Sequence, residues 1–152
     1  MPMNMSDTLT YFALKYDGDF HATFLALQNK EAVDPDLYFD LKKNTHHKHF
    51  TIIDNVYSNY FKAMNCPPIV LFYTGNKDLF HSEMPIKEIF LEDGTRAYSS
   101  IEPTEQNGKI VFDYVIACEN HDQVDKLLEH VKSKGLPLKD QTILKNREEK
   151  VC

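Results

Sequence analysis

Four groups of residues carry side chains capable of chemistry. His46, His47 and His49 stand within four positions of one another, and three close imidazoles suit a metal ion. Zinc sites add a fourth ligand at matching spacing, and neither a paired cysteine nor a His-x-x-x-His helix accompanies these three, so they read as a loop beside a strand. Cys118 is followed three positions on by His121. A thiol before a helix N-terminus can become a nucleophile, but cysteine at the end of an apolar run is ordinarily a small buried residue. Asp54 and Asp93 are carboxylates near expected strand ends, where α/β proteins place ligand sites. Nothing in their spacing makes them face one another. Gly94-Thr95-Arg96 combines backbone N–H groups, a hydroxyl and a guanidinium, a set that can hold a phosphate. The stretch Glu92-Asp93-Gly94-Thr95 also reads as a hairpin tip, and aspartate-glycine between alternating runs is the stronger local rule. Walker-type phosphate loops, Gly-x-Gly-x-x-Gly, Gly-x-Ser-x-Gly and Cys-x-x-Cys are absent. No cofactor, metal or catalytic residue is therefore expected.

The chain that must position these groups has 152 residues, 42% hydrophobic and 26% charged, which excludes wholesale disorder and allows one domain with its own core. One domain over residues 1–145 is expected, with a helical lead-in at 1–45, a mixed-sheet α/β part at 50–145 and a solvated tail at 146–152. The longest apolar runs, Ile69 to Tyr73 and Tyr114 to Cys118, are far too short to span a bilayer, and the first fifteen residues lack an export pattern. Three scattered cysteines form no disulfide framework, which points to the cytoplasm. The net charge of -6, with Arg96 and Arg147 the only arginines, disfavours an extended phosphate-binding face and leaves room for a small local one.

Hydrophobic spacing predicts the elements. Leu9, Phe12, Ala13 and Tyr16 mark a first helix capped by Ser6, and Asp17-Gly18 interrupts it. Phe20, Phe24 and Leu27 mark a second. Asp34-Pro35 opens a third carrying Leu37, Tyr38 and Leu41. The aromatic residues of this lead-in are expected in the core. Phe50 to Ile53 reads as a buried strand, Val56 to Met64 as a helix, and Ile69 to Tyr73 as a second strand covered on both faces. A strand-helix-strand unit of this length predicts a parallel pair with a right-handed crossover. Ile86 to Phe90, Ser99 to Ile101 and Ile110 to Phe112, separated by Asp93-Gly94 and Asn107-Gly108, predict a three-stranded meander. Asn120 caps a last helix with the stripe Val124, Leu127, Leu128 and Val131, ended by Gly135 and Pro137. Thr142 to Leu144 is a candidate short last strand. The expected class is mixed α/β: short N-terminal helices, a β-α-β unit joined to a β-meander, and a C-terminal helix.

Three segments resemble one family. Tyr11-Phe-Ala-Leu-Lys-Tyr-Asp-Gly-Asp19, Thr51-Ile-Ile-Asp-Asn-Val-Tyr57 and Pro67-Pro-Ile-Val-Leu-Phe-Tyr-Thr-Gly-Asn76 are similar to the N-terminal part of the bacterial DNA-processing protein A (DprA/Smf) family. Ser58 departs from that pattern, where proline is usual. The resemblance implies a Rossmann-like core and a non-enzymatic protein that binds single-stranded DNA and passes it to a recombinase. The family's phosphate-cradling Gly-Ser-Arg turn has its nearest counterpart in Gly94, Thr95 and Arg96, and Lys87 and Lys109 are placed to line the same end of the sheet. The alternative is a protein-interaction module that retains the scaffold and has lost the DNA turn. Its acidic surface would comprise Glu83, Glu88, Glu92, Asp93, Glu102 and Glu105. An enzyme built on Cys118 or the histidine loop ranks below both.

Overall fold

The computed structural model describes residues 4–45, 47–54, 57–81, 85–91 and 95–133. In chain order these form α1 (Met5–Lys15), α2 (Phe20–Gln28), α3 (Pro35–Lys43), β1 (Lys48–Thr51), α4 (Asn59–Lys62), β2 (Val70–Gly75), β3 (Lys87–Phe90), β4 (Arg96–Gln106), β5 (Lys109–Cys118) and α5 (Val124–Lys132). Short 3-10 turns occupy Lys77–His81 and His121–Gln123. The mixed α/β class and the succession of helices, strands and a last helix agree with the expectation.

Side-chain caps start the helices by supplying acceptors to N–H groups that have no partner in the first turn. The Asp34 carboxylate accepts from the backbone N–H of Asp36 and Leu37, with Pro35 at the first helical position. The first helix begins two residues earlier than Ser6 would place it, because the Asn4 side chain accepts from Asp7 N–H at 2.7 Å. Ser58, the departure from the family pattern, caps α4 through Tyr60 N–H. Asn120 caps the 3-10 turn that runs into α5, and all four residues of the expected stripe are buried. Gly135, Pro137 and Thr142 to Leu144 lie outside the described residues.

The strand order is β1-β2-β5-β4-β3, and every pairing is antiparallel. The β3-β4-β5 part is the expected meander. Its second turn is a two-residue type I′ hairpin: Gln106 pairs with Lys109, and Asn107 and Gly108 have φ of 53° and 75°. The expected parallel pair is overturned. Thr51 pairs with Val70 and Lys48 with Tyr73, so β1 and β2 run in opposite directions. A parallel pair needs a connection that returns along the length of the sheet, and the one-turn α4 cannot make it. The chain reverses at the end of β1 instead, where Asp54 accepts from Thr51 N–H at 2.7 Å and donates its own N–H to Thr51 O. The Rossmann-like strand arrangement implied by the family resemblance is accordingly not that of this sheet. From β2 the chain passes to the far edge at β3 and returns through β4 and β5 to lie beside β2, a Greek-key path.

Alternation along the strands divides the core between two faces. Val70, Phe72, Ala97, Tyr114, Ile116 and Cys118 pack with α1 and α5 on one face. Here α3 rests on α1, and the Tyr38 hydroxyl donates to Asp7 Oδ1. Burial, reinforced by Asp7, pushes that phenol up to about 12. Leu71, Tyr73, Tyr98, Val115 and Ala117 face the other way beside Phe50 of β1, and pack with Tyr57, Phe61, Leu79 and Phe80. Phe61 sits edge-on to Tyr98 at 4.8 Å and to Phe80 at 5.2 Å between ring centroids. The lead-in aromatics divide. Tyr11, Phe12 and Tyr38 are buried, whereas Phe24 is exposed because α2 turns Thr23 and Ala26 inward, and Phe39 is exposed because α3 turns its neighbour Tyr38 inward. No helix among the described residues is long and apolar enough to cross a membrane.

Candidate functional site

The end of the sheet where β4 begins and β5 finishes carries a cleft of about 630 Å³. The turn between α1 and α2 forms one wall with Tyr16, Asp17, Gly18, Asp19, Phe20 and His21. Among the described residues, Cys66, Phe90, Thr95, Arg96, Glu119 and Asn120 line the remainder. Asp17 and Gly18 adopt φ of 52° and 78°. A Cβ on Gly18 would stand 2.3 Å from the backbone oxygen of Glu119, so only glycine lets the helical turn pass this close to the end of β5. Asp19 caps α2, accepting from Ala22 N–H at 3.1 Å. Tyr16 is held by its hydroxyl, which donates to Glu31 at 2.6 Å.

A buried ion pair lies at the base. Arg96 Nε donates to Glu119 Oε1 at 2.5 Å and its Nη2 to Oε2 at 3.1 Å, while Nη1 donates to the backbone oxygen of Cys66 at 2.6 Å. The two side chains are 15% and 7% exposed, so each depends on the other for charge compensation. The Phe20 ring lies 5.8 Å from the guanidinium carbon. Burial holds the Glu119 carboxyl above its ordinary range, and Arg96 pulls in the opposite direction. Burial works to lower Arg96, but the hydrogen bond and charge of Glu119 outweigh it and raise its pKa.

The structure separates the residues expected to bind nucleic acid. Arg96 and Thr95 line the cleft. Lys109 pairs with Gln106 at the opposite end of β4, roughly 30 Å away at the rise of a strand. Lys87 pairs with Ser99 and by alternation faces away from Arg96. Gly94 lies outside the described residues, as do Glu92, Asp93, Glu83 and His46. The flanks of that turn form an antiparallel pair up to the bond from Leu91 N–H to Thr95 O. Of the described members of the acidic set, Glu88 and Glu102 share one sheet face by register and Glu105 has the other.

Other candidates have structural surroundings. Cys118 is wholly buried in the helix-side core. His47 Nε2 lies 3.2 Å from Asp125 Oδ1 on α5. His49 belongs to β1, exposed beside Phe72, and partial desolvation together with the Lys42 charge lowers its pKa. Asp54 closes the turn after β1. Among the described residues no three metal-ligating side chains converge. Sequence reasoning missed Asp17, Asp19, Phe90 and Glu119 as site residues. The usable signal is Asp17-Gly18-Asp19 between two helices, which in the sequence marks a helix break and the end of the first family-like segment.

Compared with known proteins, the chain matches no family model, no curated protein and no solved structure.

Proposed function

We propose that this chain is a non-catalytic interaction module whose partner is a protein, engaged at the cleft between the α1–α2 turn and the ends of β4 and β5. The observation that carries the reading is the commitment of Arg96. Three of its donors go to Glu119 and the Cys66 carbonyl, so a phosphate at this point would compete with a buried carboxylate. Lys109 stands too far along β4 from Arg96, and Lys87 lies on the opposite sheet face, for the three to form one strip along a DNA backbone. The overall charge of -6 opposes polyanion binding in the same direction. A cleft of this volume with mixed aromatic and polar walls lies in the range of concave ligand sites, large enough to take one side chain of a partner.

The test pairs two measurements. An oligo-dT mobility assay at low and moderate salt is expected to show no shift for the parent chain. Selection from a phage-displayed random peptide library is expected to enrich a recurrent motif. A salt-sensitive DNA shift that weakens in the Lys87→Ala/Lys109→Ala double variant would replace this reading with single-strand handling. That double variant leaves the ion pair intact, so loss of folding would not confuse the result.

A further inference from the structure

We infer that the cleft accepts a cationic side chain, lysine or arginine, from the partner; this rests on the protein-binding reading above. The described walls hold three carboxylates, Asp17, Asp19 and Glu119, against the single guanidinium of Arg96 and the imidazole of His21. Arg96 compensates Glu119. Among the described residues no lysine or arginine forms an ion pair with Asp17 or Asp19. The unbalanced charge of the cleft is therefore negative, and an anionic guest would meet two carboxylates on entering.

Arg96 itself shows what the cleft does with a guanidinium. It is gripped by a carboxylate, a backbone carbonyl and an aromatic ring at once. Asp17 and Asp19, with the exposed ring of Phe90, offer a second cation the same kinds of contact. Phe90 is 69% exposed on the edge strand, an aromatic surface whose burial would favour a complex. The aspartates are also preorganised. Their turn is pinned by the close approach of Gly18 to Glu119 and by the bond from Gly18 N–H to Ala13 O, so little ordering is needed on binding.

The experiment is a titration of the ¹⁵N-labelled chain with N-acetyl-arginine amide, N-acetyl-lysine amide, N-acetyl-glutamate amide and oligo-dT, read from amide resonances. The arginine and lysine probes are expected to shift Gly18, His21 and Asn120. The Asp17→Asn/Asp19→Asn variant is expected to weaken that binding about tenfold, as loss of two partly exposed charge contacts allows. Asparagine retains both the left-handed turn and the helix cap, so the rest of the spectrum should be unchanged. Phe90→Ala, remote from the core, should weaken binding severalfold and serves as a second check. Absence of shifts with both cationic probes, or binding of the glutamate probe at these resonances, overturns the cation inference and leaves the protein-binding reading standing. Oligo-dT shifting the same resonances overturns both.

Discussion

The two halves of the β4–β5 hairpin are made of one continuous ladder and live in different surroundings. At the base, Ala97 to Ser99 have β3 on one side and Ile116 to Cys118 on the other, and Phe72 to Gly75 of β2 close the far edge of β5. Both faces of this half are covered, and Ala97, Tyr98 and Val115 to Cys118 are 0% exposed. Beyond Ile101 and Asp113 the two strands pair only with each other among the described residues. Ile110, near the tip, is 66% exposed. A two-stranded ribbon by itself is marginal in water. The same hydrogen-bond pattern is thus rigid where side chains close over it and weak where they do not. The candidate site sits on the rigid half, where small displacements of Asp17, Asp19 and Arg96 are costly.

Breaking the base should have the largest effect. Arg96→Ala leaves Glu119 buried without its partner and should cost about 3–5 kcal/mol in urea denaturation at neutral pH. Replacing the pair together by Met and Leu should recover most of that loss. Gly75→Ala comes next. Gly75 has φ of 96°, and a Cβ there would lie 2.2 Å from the backbone oxygen of Tyr114, so a loss above about 2 kcal/mol is expected. Gly108→Ala at the tip sharpens the comparison, because its φ is also positive but no atom lies within 4 Å of the added Cβ. Only the conformational cost remains, about 1 kcal/mol, readable as a small fall in Tm. Equal losses for Gly75→Ala and Gly108→Ala would show that packing does not distinguish the two halves. Amide exchange offers a test without mutation: Val115 to Cys118 should exchange near the global rate, and Glu105, Gln106 and Ile110 much faster.

The smallest effect is a slope with pH. Partial desolvation of the exposed His49 ring beside Phe72, with the Lys42 charge adding, lowers its pKa in the folded chain, so as pH falls the unfolded chain binds the proton first. Stability from this residue is complete above the ordinary histidine value of about 6.5 and falls as pH drops below it toward the lowered folded value. His49→Gln should flatten the melting temperature against pH over that range. An unchanged slope would show that another group titrates there.

Much of the fold was legible because it depends on local rules. Asp34-Pro35, Asn107-Gly108 and the stripe Val124, Leu127, Leu128 and Val131 each specify a backbone geometry within a few residues, and each appears where the spacing placed it. The direction of β2 against β1 was not legible. An apolar run such as Ile69 to Tyr73 fits a strand buried on both faces in a parallel or an antiparallel sheet, and the choice rests on the connection. Asp54 reverses that connection, and its bond to Thr51 has no distinctive sequence signature. The site was read in part. In the sequence Arg96 reads as a phosphate ligand, whereas Glu119, 23 positions on, determines what Arg96 can do.

The amino-acid sequence by itself determined where helices and turns begin, which faces are apolar, and that the chain carries excess negative charge. These follow from capping, periodicity and composition, which act over one or two turns of backbone. Only the tertiary structure decided the strand directions, the burial of the Arg96–Glu119 pair and the gathering of Asp17, Asp19 and Phe90 at one end of the sheet. Those depend on contacts between residues distant along the chain. Their energies come from desolvation and packing that no local pattern encodes.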